Sequence, residues 1–196
     1  MKAFDTLNWD SALSEFLDNS VKLKQELERK RKMSMFPVEL PQGFKIKFHD
    51  DAHNHLQGDI IEKFLPRFGF GAEVLYVGDA QKKDLFIDEA KLNQLNFFKL
   101  KHDELPDIVA YSKEKNLLYL IEALHSTGPM DELRVRTLKT MLKDCPAQLL
   151  FFTAFENKSV FRTWAAKIAW ESEVWIADNP DHLIHFNGYK FLEIHK

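Results

Sequence analysis

Two carboxylates occupy positions where a carboxylate is costly. Asp107 lies in Leu105-Pro106-Asp107-Ile108-Val109-Ala110-Tyr111, and Glu122 lies in Leu117-Leu118-Tyr119-Leu120-Ile121-Glu122-Ala123-Leu124. Both segments are apolar on both faces, which marks them as buried strands. The polar stretch Ser112 to Asn116 joins them as a hairpin turn. A carboxylate in such a place must be paired or must coordinate a cation. If the turn centres between Glu114 and Lys115, Asp107 and Glu122 are direct cross-strand partners, with Cβ atoms roughly 4.5 to 5.5 Å apart. Two like charges at that separation repel, and a divalent cation relieves them. Mg²⁺ is typically held by one or two carboxylates plus waters and substrate phosphate. The competing reading pairs each carboxylate with a buried Lys or Arg. A slip of one residue in the turn would send the two to opposite faces.

The elements that must position this pair read as follows. Residues 9 to 32 form a helix, with Trp9, Leu13, Phe16, Leu17 and Leu27 at helical spacing, Asn8 as N-cap and Asp10 in the first turn. Its basic end, Arg29 to Lys32, either complements the helix dipole or offers a phosphate-binding patch. Pro37 and Pro41 mark a break at 33 to 43, and the domain boundary falls there, giving an N-terminal helical extension over 1–40 and a main domain over 41–196. A short strand follows at 43–48, then a helix at 56–64 stopped by Pro66, then a glycine-bounded strand at 71–79. The segment from Lys82 to Lys99 reads as helix and loops. After the hairpin come a helix from about 130 to 143 with Pro129 at its start, an apolar strand at 147–155, a helix at 159–170, and strands at 173–177 and 183–186. Strands alternating with helices predict an α/β fold with a central mixed sheet flanked by helices.

The chain has 196 residues, enough for one α/β domain plus an extension, and 17 Phe residues predict an aromatic core. A formal net charge of -3 is no basic excess, but phosphate contacts depend on local Lys and Arg rather than on the total. The one cysteine, Cys145, excludes an intrachain disulfide and fits a reducing compartment. No stretch has signal-peptide character or approaches about 18 apolar residues, so a soluble, cytoplasmic protein with no membrane association is expected.

Other motifs are weaker. His53-Asn54-His55 spells HNH, but that motif's letters are spread over a ββα-metal fold rather than contiguous. His182 and His185 lack the further Cys or His ligands of a zinc site, which leaves DNA contact or hydrogen-bonded packing. The helix start near Gly128 is either a phosphate cradle or a plain turn. No P-loop or dinucleotide fingerprint is present.

Pro-Asp on one strand followed by an acidic residue near the end of the next resembles the PD-(D/E)XK nuclease superfamily. The wider text is more specific. His53-Asn54-x-Leu56-Gln57, Ile60-Ile61-Glu62-Lys63-Phe64-Leu65-Pro66-Arg67-Phe68 and Ala72 to Asp79 resemble the catalytic domain of the BsuBI/PstI restriction endonucleases. So do Ile121-Glu122-Ala123 with Ser126-x-Gly128-Pro129, and the tail from Ala169 to Gly188. The resemblance runs from about residue 40 to the end. It implies a restriction-endonuclease-like fold and Mg²⁺-dependent hydrolysis of double-stranded DNA, with Asp107 and Glu122 at the metal. Asp79 is either a third acidic ligand or a strand-end turn residue. Glu62 is either a supporting glutamate or a solvent-facing helix residue. Ser126, Arg134, His182, His185 and Asn187 are candidates for DNA contact.

Two departures qualify this. The superfamily pattern places Lys two residues after the acidic position, where this chain has Leu124. The basic role then falls to Lys82 or Lys83, to Arg134, or to no residue, and surface lysines on a polar loop explain the first two equally well. The family's full-length enzymes also carry an N-terminal domain associated with target recognition, whereas this chain has only about 40 residues there, so their sequence specificity does not carry over.

The expectation is a Mg²⁺-dependent endonuclease acting in restriction or anti-phage defence. It would be a homodimer because both strands must be cut, with the first helix as a possible interface and a defence-system protein as a possible partner. The rivals are a catalytically inactive DNA-binding or partner-binding module on the same fold, which Leu124 favours, and an adaptor subunit that uses the first helix.

Overall fold

The computed structural model describes residues 9–78, 84–97, 105–125 and 128–186. Intrachain contacts divide the chain into two compact units, Met1–Phe36 and Pro37–Lys196.

In the first unit, α1 runs from Trp9 to Met33, as its spacing predicts. The strand β1 (Met35–Glu39) follows and forms a two-stranded sheet with β2 (Lys45–His49). Pro37 predicts a break here, yet it lies within β1. A two-stranded ribbon has only edge strands, where proline's missing N–H costs no interior ladder bond.

The helix expected at 56–64 begins earlier and ends later. Asp51 caps α2 (Ala52–Asp59), its carboxylate accepting from Asn54 N at 2.9 Å. A π-helical turn at Ile60–Phe64 follows, in which Leu65 N–H donates to Ile60 O, and α3 (Leu65–Phe68) completes the stretch. Pro66 does not stop this helix. It sits at the start of α3, where its fixed φ suits the first turn.

Seven strands form the main sheet in the order β4-β3-β5-β6-β7-β8-β9. These are β3 (Glu73–Val77), β4 (Phe86–Ile87), β5 (Ile108–Ser112), β6 (Leu117–Leu124), β7 (Gln148–Phe155), β8 (Ser172–Ile176) and β9 (Leu183–Phe186). Each neighbouring pair in the run β4, β3, β5 and β6 is antiparallel, β6, β7 and β8 run parallel, and β9 is antiparallel to β8. The sheet is therefore mixed, as expected. The segment after residue 82 yields β4 and the short helix α4 (Glu89–Gln94), capped by Asp88.

The parallel crossovers carry helices α5 (Glu132–Met141) and α6 (Lys158–Trp164). Pro129 does not begin α5. Asp131 caps it instead, accepting from Arg134 N at 2.8 Å, because a β-region residue with a side-chain acceptor satisfies an orphan N–H that proline cannot. On the α5 face, Leu118, Leu120 and Phe151 pack with Val135 and Leu138. On the other face, Phe64 meets Phe152 at 4.9 Å and Trp175 at 5.7 Å between ring centroids, and Tyr119 O–H donates to Phe68 O at 2.9 Å. The phenylalanine-rich composition thus pins α2 and α3 to the sheet. Among the described residues, no helix is long and apolar enough to cross a membrane.

Candidate active site

The hairpin register decides whether the two carboxylates meet. Ile108 pairs with Ile121, and the ladder continues residue by residue to Ser112 with Leu117. One step back from Ile108 and Ile121 lie Asp107 and Glu122. They are cross-strand neighbours at the mouth of the hairpin, with the turn centred between Glu114 and Lys115.

Asp107 is held from several sides. Its Oδ2 accepts from Ala123 N at 2.8 Å, and its own carbonyl accepts from Gly78 N at 2.9 Å at the end of β3. Its Oδ1 lies 3.6 Å from His53 Nε2 on α2. His53 Nε2 is also 2.9 Å from Gln57 Nε2, one helical turn on. With Nε2 unprotonated His53 accepts from the Gln57 amide, whereas with Nε2 protonated it presents N–H to Asp107. Burial lowers the His53 pKa, but Asp107, Asp51 and the Ala123 backbone together outweigh burial and leave it raised.

Glu122 is the costlier group, only 8% exposed. Its Oε1 accepts from both Nε and Nη2 of Arg134, each at 2.9 Å. Burial first, then the facing charge of Asp107, pushes its carboxyl up to about 7 despite the pull of Arg134. Desolvation and like-charge repulsion thus exceed what one half-buried guanidinium returns. The sequence alternatives of metal and cationic partner both bear on this residue, because Arg134 partners Glu122 while Asp107 still faces it.

A cleft of about 490 Å³ opens over these groups, lined by Asp107, Glu122, Asp131, Leu133, Arg134 and Thr137 among others. A larger cleft of about 800 Å³ lies between α5 and Trp170. It lacks the paired carboxylates, so the smaller cleft is the one with chemistry. Two hard carboxylate oxygens converging with room for a phosphate suit Mg²⁺. Among the described residues, no group of three or more acidic, His or Cys side chains is placed to hold a metal. The fit is therefore to a cation that takes its remaining ligands from water and substrate.

Other candidate residues fall elsewhere. Glu62 is exposed on the π-helical turn, and the positions of that helical stretch that reach the sheet end are His53 and Gln57. His182 and His185 are exposed, and His185 pairs with Glu173 across the last two strands. Strand β9 is three positions from β6, roughly 14 Å at 4.8 Å per strand, so these histidines do not join the carboxylates. Asp79, Lys82, Lys83, Ser126 and Asn187 lie outside the described residues. Leu124 is 1% exposed and packs with Phe155, Ile168, Val174 and Ile176 beneath α6, so the position that the superfamily pattern gives to lysine is core in this chain. His53 and Gln57 belong to a sequence motif whose residue types alone assign them no role. Their i, i+4 spacing just after an Asp cap is the signal that identifies them.

A family model described as the BsuBI/PstI restriction endonuclease domain matches residues 36–189. The chain is 37% identical over 192 residues to the type II restriction enzyme BsuBI of Bacillus subtilis, covering 98% of this chain and 61% of that protein. It is 28% identical over 200 residues to the type II restriction enzyme AplI of Arthrospira platensis (strain NIES-39 / UTEX 3086 / IAM M-135), with the same shares. The solved structure of SdaI restriction endonuclease has the same fold, with a TM-score of 0.74 at 37% identity over 99% of this chain and 61% of that one. The chain thus spans about 61% of the length of the relatives it matches. The family match takes in both strands of the carboxylate hairpin, α2 with His53, and α5 with Arg134, and by it this chain belongs to the BsuBI/PstI restriction endonuclease domain family.

Proposed function

We propose that this chain is a DNA endonuclease of the type II restriction kind, hydrolysing phosphodiester bonds of double-stranded DNA with Mg²⁺ held by Asp107 and Glu122. On this reading it is a PD-(D/E)XK nuclease, acts in restriction or anti-phage defence, and works as a homodimer, since two strands need two sites. The observation that carries the reading is the facing pair of carboxylates, one buried and kept charged only with help, at the floor of a cleft in a chain of this family.

Each residue has a definable part. The Ala123 N–H fixes one Asp107 oxygen and leaves the other turned toward His53. Arg134 neutralises Glu122 in the absence of a cation, and its fork matches a phosphate equally well. Glu122 would hold the cation together with Asp107, and Arg134 would meet the DNA backbone. Leu133, 70% exposed, gives the cleft an apolar rim. When bound, a divalent cation supplies Lewis acidity toward a phosphate oxygen and makes a neighbouring water more acidic. With Leu124 in the core, the cationic part of the superfamily pattern falls to Arg134, or to Lys82 or Lys83.

The test is incubation of purified protein with supercoiled and linear DNA in Mg²⁺, Mn²⁺ or EDTA, beside Asp107→Ala and Glu122→Ala. Divalent-dependent cutting that both variants lose supports the reading. DNA binding without cutting under every condition turns it toward the inactive module, and equal cutting by all three removes the site assignment.

A further inference from the structure

The helix α1 carries an apolar stripe that is exposed among the described residues. Leu13, Phe16, Leu17 and Leu23 are 39%, 67%, 54% and 59% exposed. An apolar stripe of this kind on a helix surface marks an interaction site. A single amphipathic helix draws most of its stability from packing that face.

The spacing of the stripe is that of a two-stranded seam. Leu13, Phe16, Ser20 and Leu23 recur at alternating steps of three and four, the 3.5-residue repeat that keeps one edge facing a partner helix. In sequence the same steps extend back to Trp9 and on to Leu27. The small residue in this series, Ser20, would ordinarily weaken such a seam. Its hydroxyl already donates to Phe16 O at 2.7 Å within the helix, so burying it strands no donor.

We propose that α1 pairs with α1 of a second copy of this chain, antiparallel, with the two-fold axis passing near Asp18. In that register Leu13 meets Leu23 of the second copy, and the large Phe16 meets the small Ser20. The layers repeat symmetrically about the axis, and Leu17 meets its own equivalent beside them. Charge selects this direction. The half of α1 before Val21 carries Asp10, Glu15 and Asp18 and no cation. The half from Val21 carries Lys22, Lys24, Arg29, Lys30, Arg31 and Lys32 against Glu26 and Glu28. Antiparallel pairing sets each half against its opposite, whereas parallel pairing sets like against like. A closed two-fold assembly of this kind supplies the two catalytic units that a double-strand cut needs.

This interface deepens the dimer of the proposed function but does not depend on its chemistry. Light scattering on the full chain at micromolar concentration should give twice the 23.0 kDa of one chain. Phe16→Asp should return it to one chain, with any loss of helical circular dichroism no larger than the 25 residues of α1 account for. Direction is read by disulfide trapping in a Cys145→Ser background, mixing Leu13→Cys and Leu23→Cys proteins. The antiparallel register predicts the mixed 13–23 disulfide and little of either symmetric product, since each residue lies about 15 Å along the axis from its own equivalent. Symmetric 13–13 and 23–23 products overturn the register, and a monomer at all concentrations overturns the interface. Cutting by a monomer would remove the seam and leave the nuclease reading standing, and a dimer that never cuts would do the reverse.

Discussion

Replacing Glu122 by glutamine should stabilise the metal-free protein. Glu122 is buried, faces Asp107, and has its carboxyl pushed up to about 7 from an ordinary value of 4.5. A raised folded-state pKa means that the folded protein holds its proton more tightly than the unfolded chain does. The associated stability is fully present below about pH 4.5 and is lost as pH rises through about 7. At about 1.36 kcal/mol per pH unit, the loss amounts to roughly 3 kcal/mol by pH 8 and under about 1 kcal/mol at pH 5. Glutamine is a neutral isostere, so Glu122→Gln should exceed wild type by about those amounts in EDTA. Arg134 opposes this by losing an anionic partner, but its side chain is 24% exposed and recovers part of its hydration. Urea unfolding in EDTA at both pH values measures the gap. Mg²⁺ should then narrow it at pH 8 by stabilising wild type alone, by about 2.7 kcal/mol at a hundredfold excess over Kd. A Glu122→Gln protein less stable than wild type at pH 8 would refute the reasoning, because the Arg134 ion pair would then outweigh burial and repulsion.

Three further outcomes follow from particular contacts. Leu124→Lys, which restores the superfamily letter, should cost roughly 3–5 kcal/mol in chemical denaturation, since it places a cation among Phe155, Ile168 and Val174; a stable, more active variant would contradict that. Thr153→Val should cost about 1–3 kcal/mol by the same measurement, because Thr153 Oγ1 is the acceptor for the buried Met130 N–H at 3.0 Å. His53→Ala should weaken Mg²⁺ binding by about 10- to 100-fold through loss of its contact with Asp107, measured by calorimetry, with the unfolding midpoint little changed.

The hairpin was readable in the sequence because its signals are local. Two apolar runs and a polar turn of fixed length determine which residues oppose, and the ladder from Ile108 with Ile121 follows that arithmetic. The mixed sheet was readable from alternation of strand and helix. Local rules failed where context reverses them. Pro37 reads as a break, yet a two-stranded ribbon accommodates it, and Pro66 reads as a stop, yet the π turn before it passes the chain into α3. Glu62 was the natural helical carboxylate by residue type. Which side of a helix meets the sheet depends on packing by Phe64 and Ile60, and that brings His53 to Asp107 and leaves Glu62 in solvent. Arg134 was visible as a nearby cation. Its bond to Glu122 depends on the tertiary placement of α5, which no spacing in the sequence encodes.

The central claim is that Asp107 and Glu122 together form a divalent-cation site. Isothermal titration of Mg²⁺ into wild type, Asp107→Asn and Glu122→Gln at about pH 8, with non-cleavable DNA present, tests it most directly. One cation per chain in wild type, lost in both variants while their circular dichroism is unchanged, is the predicted result. Equal Mg²⁺ binding by all three proteins would contradict it.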